Sequence, residues 1–504
     1  MRTLVIYAVI LPLAVFIGWM AVDLANWDRT SFSMIAAIIF VLLLPALLKW
    51  HYPVLLFSWN TAITIFFLPG TPTLWMLMAG ITFGIAALNR IIQKRPVFFS
   101  APSITASLLA LLTVVLITGK LRGGFGSQAL GSSTYGGKGY YYIIAAIVGY
   151  FALASRPIPR ERAKFYVGLF FLPALIGAIS NLIYVAGPSF YFLYLVFPVG
   201  FAGVQASTEY SGSIVRVAGF AALANAVTYY LFAVHGIRGI LRKGWLMALL
   251  LVSLAMGTMA GYRSLVVILG LLFLILFVME GLLRSPVFPA FILIGALAFA
   301  ASIPFASKLP LSVQRTLSIL PIKVDPIARW DADASSDWRL QMWRSVLPDL
   351  PKYIWLGKGY AMNPTDIYLA HQAVLRGRTA DYESSVATGD YHSGPLSTFV
   401  PFGAFGVLAL LVFFSASLRA LYLNYKYGDD QLKTINRFFF AYFLARVIFF
   451  FFAFGGISSD LFHFTGALGL SVALNKGICR KPAPASQPVR FRGDVGLPAP
   501  RPAA

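Results

Sequence analysis

The sequence predicts an all-α polytopic membrane protein with about 14 transmembrane helices and one large extracytoplasmic loop that contains short helices. Three observations support this fold class. Apolar residues make up 59% of the 504 positions and the mean hydropathy is +0.78, whereas charged residues make up only 12%. Apolar runs of about 20 residues, the length of a spanning helix, fill most of the chain. No alternating ten-residue pattern indicates an outer-membrane barrel.

Each apolar run is assigned to one predicted span. In chain order the spans are 3–22, 32–48, 53–69, 72–88, 104–121, 139–155, 164–186, 216–234, 245–260, 263–280, 287–303, 396–418, 436–455 and 460–476. Residues 190–206 are also apolar, but Pro198 and two glycines favour a re-entrant or interfacial segment. Counting this segment as a full span would place the basic run 155–164 outside, against the positive-inside rule.

The formal net charge of +22 is distributed unevenly. Lys and Arg number 23 in the predicted short cytoplasmic segments and six in the short external ones, which is the positive-inside signature. This bias predicts that both termini are cytoplasmic. It makes membrane lipids with anionic head groups the expected partner of the basic residues. No aromatic-basic binding module is found, so nucleic acid is not an expected partner.

The predicted organisation has four parts. Residues 1–303 form an N-terminal transmembrane bundle, and 304–395 form a large, partly helical external loop. Residues 396–480 form the C-terminal transmembrane helices, and the Pro/Ala/Arg-rich end, 481–504, is predicted to be a disordered cytoplasmic tail. Within the loop, apolar residues at helical spacing predict a helix with Asp337 as its N-cap.

No cofactor or metal is expected from sequence motifs. The acidic run DADASSD (331–337) lacks a familiar ligand spacing and is interpreted as an acidic turn. No P-loop, nucleotide fingerprint or G-x-S-x-G elbow occurs. Cys479 is the single cysteine, so an intramolecular disulfide is excluded.

Four residues at the predicted external border are candidates for chemistry. Arg216, Arg263 and Arg339 carry forked guanidinium groups that suit diphosphate oxygens. The alternative for such an arginine is a side chain that snorkels to the interface. His392, at the end of the loop, has an unperturbed pKa of ~6.5 that suits a general base. The alternative for this histidine is a solvated loop residue without a task.

The order of these motifs resembles the O-antigen ligase and O-antigen polymerase superfamily. That family has an Arg-x-x-Gly followed by an Asn, a Ser-Arg-Gly-like step, a loop with Arg-Leu-Ser, Arg…Trp, Pro and Gly-x-Gly, and a final His-Asn before Gly-x-x-Gly. The corresponding positions are Arg216, Gly219, Asn225, Tyr262-Arg263-Ser264, Arg315 to Ser318, Arg339, Trp343, Pro348, Gly357, Gly359, His392-Ser393, Gly403 and Gly406. Ser393 stands where the family has Asn.

The resemblance implies a GT-C-like membrane glycosyltransferase. Its donor would be an undecaprenyl-diphosphate-linked glycan, and its acceptor a sugar hydroxyl on a glycan or on lipid A-core. The reaction would be inverting and metal-independent, and would occur at the periplasmic face of a bacterial inner membrane. Ligase, polymerase and protein O-glycosylation activities remain open. The alternative from another class is a transporter or flippase for a lipid-linked or anionic substrate, with its site near the bilayer midplane.

The residue roles follow the same resemblance. His392 would be the general base, and two arginines would stabilise charge on the leaving diphosphate. The expected catalytic residues are His392, Arg263 and Arg216, and the expected substrate-binding residues are Arg339, Asn225, Arg315 and Trp343. The enzyme interpretation requires Arg216, Arg263 and His392 to converge on one external cavity that is open sideways to lipid.

Overall fold

Helices form nearly all of the secondary structure in the computed structural model. The structure describes residues 29–93, 101–126, 136–198, 214–362, 365, 368, 372, 385–386 and 388–481. Thr64 and Thr73 form an isolated antiparallel bridge, and no β-strand occurs in these ranges. The all-α prediction is therefore confirmed for the described part. The predicted first span, 3–22, and the predicted tail from 482 onwards lie outside it.

Sixteen α-helices are described. They are α1 (Arg29–Lys49), α2 (His51–Trp59), α3 (Leu74–Gln93), α4 (Pro102–Arg122), α5 (Gly137–Ala154), α6 (Ala163–Phe171), α7 (Ala178–Ala186), α8 (Ala218–Leu241), α9 (Gly244–Met259), α10 (Arg263–Met279), α11 (Val287–Ser302), α12 (Leu311–Leu317), α13 (Pro326–Val346), α14 (Gly394–Tyr427), α15 (Lys433–Phe452) and α16 (Ile457–Asn475).

Seven segments among the described residues are long and apolar enough to cross a membrane. They are α3, α4, the α6–α7 unit, α8, α14, α15 and α16. The bent pair α1–α2, which turns by 106°, would make eight. Helices α9, α10 and α11 are apolar but shorter. A multi-pass membrane protein is thus supported, whereas the count of 14 is not confirmed.

The predicted span 53–69 is wrong. Helix α2 ends at Trp59, and the following residues form irregular backbone, one bridge and turns rather than a helix. Thr64 donates its backbone N–H to Val196 O at 2.9 Å, so this segment pairs with the end of the 3-10 helix Pro188–Leu195. Backbone outside a helix is tolerated in a bundle when other protein groups satisfy it, and this pairing does so. The predicted re-entrant segment 190–206 is described only to Pro198.

Small residues let the helices approach closely around Trp59, which is fully buried. A Cβ on Gly149 of α5 or Gly466 of α16 would overlap the indole ring. The indole Nε1 donates to Phe462 O at 3.1 Å. Glycine at helix contacts is the usual device for close packing within membranes. Trp59 consequently joins α2 to α5 and α16 at one end of the bundle.

The loop before α14 is inserted into a break in that helix. Gly403 has a φ of +63°, and Ala404 donates its N–H to Ile354 O at 2.6 Å instead of to Val400 O. The freed carbonyls accept hydrogen bonds from the loop. Lys358 N donates to Val400 O at 2.7 Å, and Gly359 N donates to Pro401 O at 2.9 Å. The loop and α14 therefore form one hydrogen-bonded unit, and α14 is the helix that begins beside His392.

Gly357 is expected to be essential for this insertion. Its φ is +70°, and a Cβ there would overlap the Pro401 carbonyl group. Gly357→Ala should lower the free energy of unfolding by at least about 1–2 kcal/mol, the usual cost of a left-handed L-residue. Thermal unfolding in detergent measures this. Gly270→Ala on α10 is the control, because its Cβ would meet nothing within 4 Å. Equal unfolding temperatures for the two variants would contradict the insertion.

Helix α13 begins earlier than the sequence predicted. Asp325 is the N-cap, its side chain accepts from Ile327 N at 2.8 Å, and Pro326 occupies the first turn. Asp337 lies in the helix interior, so the predicted cap is wrong. The run 331–337 is helical, which also corrects the predicted acidic turn. As a result, one continuous helix carries Asp331 through Arg339.

Candidate functional site

Helix α13 gathers the site at one end of the bundle. One face of α13 carries the residues that make the site, because they recur at intervals of about four residues. They are Asp331, Ala332, Ser336 and Arg339. The segment before α8, the start of α10 and the link between α15 and α16 all contact this helix or its neighbours. Helix ends that are far apart in sequence thereby meet at a single place.

Asp331 is the anchor of this place. Its carboxylate lies 3.5 Å from Arg216 Nη2 and accepts from Arg315 Nε. Arg315 also donates from Nη1 to the carbonyl of Gly261, next to α10. The side chains of Arg315 and Asp331 are only 4% and 9% exposed. Both partners of Arg315 belong to the protein, so this side chain joins α13 to the backbone before α10 and positions the start of α10.

Removing the carboxylate of Asp331 is expected to destabilise the protein. Asp331→Ala leaves Arg315 buried without its counter-charge, and breaking such a pair costs about 3–5 kcal/mol. Thermal unfolding of the detergent-solubilised protein measures the loss. Asp333→Ala, an exposed position on the same helix, is the matched control. If both variants unfold at the wild-type temperature, Asp331 does not anchor the site.

Arg263 and Arg339 have no carboxylate partner within 4 Å among the described residues. Arg263 Nη2 donates to Ala332 O at 2.6 Å and to Ser336 Oγ at 3.0 Å. The guanidinium of Arg339 lies 5.7 Å from the ring centroid of Phe454. Burial, and then the charges of the other arginines, lower the pKa of Arg339. The site therefore holds an excess of positive charge that an anion would relieve.

His392 lies beside this charge, just before α14. Its backbone is left-handed, with φ +48°. Its ring centroid is 5.2 Å from that of Trp338 and 5.0 Å from that of Phe454. Nε2 lies 3.8 Å from Asp390 Oδ2, and Nδ1 is buried with no hydrogen-bond partner among the described residues. Burial lowers the pKa of His392, Asp390 raises it, and Arg339 lowers it.

The structure thus brings Arg216, Arg263, Arg339 and His392 to one place. That this place is a cavity open sideways to lipid stays a prediction. Phe454 connects two of these four residues, because its ring contacts both Arg339 and His392. Phe454 could not be singled out in the sequence, since it comes shortly after a run of four other phenylalanines. Asp331 was visible in the sequence as part of an acidic run, but its partners were not.

Two predicted substrate-binding residues occupy other positions. Trp343 donates from Nε1 to Tyr391 O at 2.8 Å, so it fixes the backbone next to His392. Asn225 lines a separate cavity, and its Oδ1 is buried with no hydrogen-bond partner in the described ranges. No group of three or more His, Cys, Asp or Glu side chains in the described residues could hold a metal ion.

The apolar helices are those of a multi-pass membrane protein. Arg216, Arg263, Arg315 and Arg339 form a cationic cluster at one end of the bundle. Residues 245–411 match the family model described as O-Antigen ligase. This match supports an O-antigen ligase/polymerase family for the chain, as the order of motifs predicted, and implies a membrane enzyme that transfers glycosyl groups. The matched region includes Arg263, Arg339 and His392. No curated protein matches the chain.

Proposed function

We propose that the protein transfers a glycan from an undecaprenyl-diphosphate-linked donor to a sugar hydroxyl. The observation that carries this proposal is the position of His392 beside arginines that lack carboxylate partners among the described residues. A lipid diphosphate supplies the anion that such arginines suit. An acceptor hydroxyl, a weak nucleophile, is what a neutral histidine would deprotonate.

The proposed step is a direct displacement at the anomeric carbon. The acceptor oxygen forms a bond to that carbon while the bond to the diphosphate oxygen breaks. The bonding electron pair leaves with the diphosphate, and the acceptor proton passes to His392. Arg263, Arg339 and Arg216 stabilise the charge that grows on the leaving group, without a metal or another cofactor. Attack from the face opposite the leaving group inverts the anomeric centre.

Burial supports the role of His392 as the base. Its lowered pKa keeps the imidazole neutral near pH 7, which is the form that accepts a proton. Convergence of the charged groups at one end of the bundle supports an enzyme over a transporter, whose site would lie near the midplane. We assign this end to the periplasmic face of a bacterial inner membrane, where lipid-linked glycans meet a glycan or lipid A-core acceptor.

Cells that lack the protein test this function. We expect them to accumulate a polyprenyl-diphosphate-linked glycan and to lose one envelope glycan product. Restoring the wild-type gene should reverse both changes, whereas a His392→Asn gene should not. Mass spectrometry of the lipid extract identifies the accumulated species. A mutant with normal levels of all lipid-linked glycans would contradict the proposal.

The pH dependence of transfer is expected to change when Asp390, the carboxylate next to His392, is replaced. Asp390 raises the pKa of His392, so Asp390→Asn should lower that pKa further. The base is then neutral to a lower pH, and the acidic limb of kcat/KM should move to lower pH. The profile of the purified protein measures the shift. Asp349→Asn, at an exposed loop ion pair with Lys352, is the control and should leave the limb in place.

A further inference from the structure

A cavity of about 580 Å³ lies next to the cationic cluster. Its walls come from the end of α2, the starts of α3, α8 and α10, the end of α15 and the start of α16. This volume is within the range of about 300–1,000 Å³ typical of small-molecule sites. Phe454, whose ring contacts His392, lines the cavity. Tyr262, the residue before Arg263, also lines it, so the cavity adjoins the cationic cluster on two sides.

A guanidinium inside the bundle lines this cavity. Arg446 Nη1 lies 3.8 Å from Asp460 Oδ1, and its guanidinium carbon is 5.0 Å from the ring centroid of Tyr442. Asp460 also accepts from Gly456 N at 2.8 Å, at the start of α16. An ionisable residue within a membrane bundle is costly and generally functional. Because Asp460 neutralises Arg446, the cavity has polar groups without the excess positive charge of the neighbouring cluster.

Four polar atoms of the cavity lining are buried without a hydrogen-bond partner among the described residues. They are Asn225 Oδ1, Arg446 Nε, Thr73 Oγ1 and Tyr229 Oη. Leaving such atoms unpaired is expensive, so each requires a partner from outside the described chain. The amide oxygen is an acceptor, the guanidinium nitrogen is a donor, and the two hydroxyls can do both. Hydroxyl groups, which donate and accept, match this set.

Aromatic rings make up much of the remaining wall. Trp59 and Trp75 have ring centroids 5.2 Å apart, and Tyr442 and Phe454 also line the cavity. Flat apolar rings with a few placed polar atoms are the usual lining of a site for a small organic molecule. A sugar ring has the matching surface, because its C–H faces are apolar and its edges bear hydroxyl groups.

We propose that this cavity is a subsite for an uncharged sugar ring next to the reacting bond, oriented by Asn225 and by Arg446 held on Asp460. The inference rests on the proposed glycan transfer, and it names this cavity as the place where a sugar ring of the substrate binds. A diphosphate would find no excess positive charge here, and a polyprenyl chain would leave the polar atoms unpaired. The sugar belongs either to the donor or to the acceptor.

Two variants test the subsite without breaking the Arg446–Asp460 pair. Ala222→Phe fills the cavity from α8, and Asn225→Leu removes the unpaired amide oxygen at similar size. The control is Ala255→Phe, which adds the same bulk on the exposed side of α9. The full-length protein in lipid nanodiscs is assayed with the lipid-linked glycan that accumulates in cells lacking it, and with acceptor from the same cells. Binding of sugar-free undecaprenyl diphosphate is measured in parallel.

We expect Asn225→Leu and Ala222→Phe to raise the KM of one substrate by at least about tenfold, the effect of one lost hydrogen bond. Binding of undecaprenyl diphosphate should stay within twofold of the wild type. A rise in the donor KM assigns the sugar to the donor, and a rise in the acceptor KM assigns it to the acceptor. If Ala222→Phe does not fold, Asn225→Leu alone decides the outcome.

Two results would overturn the subsite. Unchanged KM values for both substrates in folded variants would show that no sugar uses the cavity. Weaker binding of undecaprenyl diphosphate would show that the cavity takes the diphosphate or the polyprenyl chain instead. Failure of the proposed function is distinguishable, because then the wild-type protein itself transfers no glycan.

Discussion

Replacing His392 with asparagine is expected to lower kcat/KM for glycan transfer by about 10²–10⁴-fold, the usual contribution of a general base. Asparagine is the suitable replacement because His392 has a φ of +48°, and asparagine tolerates the left-handed region better than most residues. The variant should therefore keep the loop in place while removing the proton acceptor. The rate is measured with purified protein and a lipid-linked donor.

The control for His392→Asn is the binding of undecaprenyl diphosphate, which should be unchanged because the proposed diphosphate contacts are arginines. The pH profile adds an independent readout. The wild-type profile should rise to a plateau through a pKa below the usual 6.5, since burial lowers the pKa of His392. That acidic limb should be absent from the residual activity of the variant. Transfer at the wild-type rate would exclude His392 as the base.

Replacing Arg339 with methionine is expected to lower kcat by about 10²–10³-fold, the typical cost of losing one group that stabilises developing negative charge. Arg339 is the most informative of the arginines. Its contact among the described residues is the ring of Phe454, whereas Arg216 and Arg315 share Asp331. The methionine keeps much of the packing against Phe454, so the loss should report on charge rather than on folding.

Two further variants define what Arg339 supplies. Arg339→Lys keeps the charge but loses the planar fork that binds two oxygens at once, and should recover only part of the rate. Arg344→Met, an exposed position one and a half turns further along α13, is the matched control and should be near wild type. Equal activity of Arg339→Met and Arg344→Met would remove Arg339 from the mechanism.

The positions of many apolar helices could be predicted because an apolar run is a local property. The predicted segments 245–260 and 263–280 agree with helices α9 and α10 within a residue or so, although both helices are shorter than the seven that could span a membrane. The span 53–69 failed because composition cannot show that Trp59 ends a helix. That end depends on the pairing of Thr64 with Val196, more than a hundred residues away.

The site was predictable in its residue types but not in its connections. Motif order identified Arg216, Arg263, Arg339 and His392, and α13 brings them together. The sequence could not show the anchoring carboxylate, because Asp331 is defined by partners on two other segments. The start of α13 was misplaced because the apolar spacing begins well after the capping Asp325 and Pro326.

Transfer by the purified protein tests the central claim most directly. The wild-type chain is reconstituted in liposomes with a polyprenyl-diphosphate-linked glycan, its acceptor and EDTA. Released undecaprenyl diphosphate and glycan joined to acceptor are then quantified. We expect the two products to form in equal amounts and at the same rate with or without the chelator. Movement of the intact donor across the bilayer without bond cleavage, or transfer that stops in EDTA, would contradict the account.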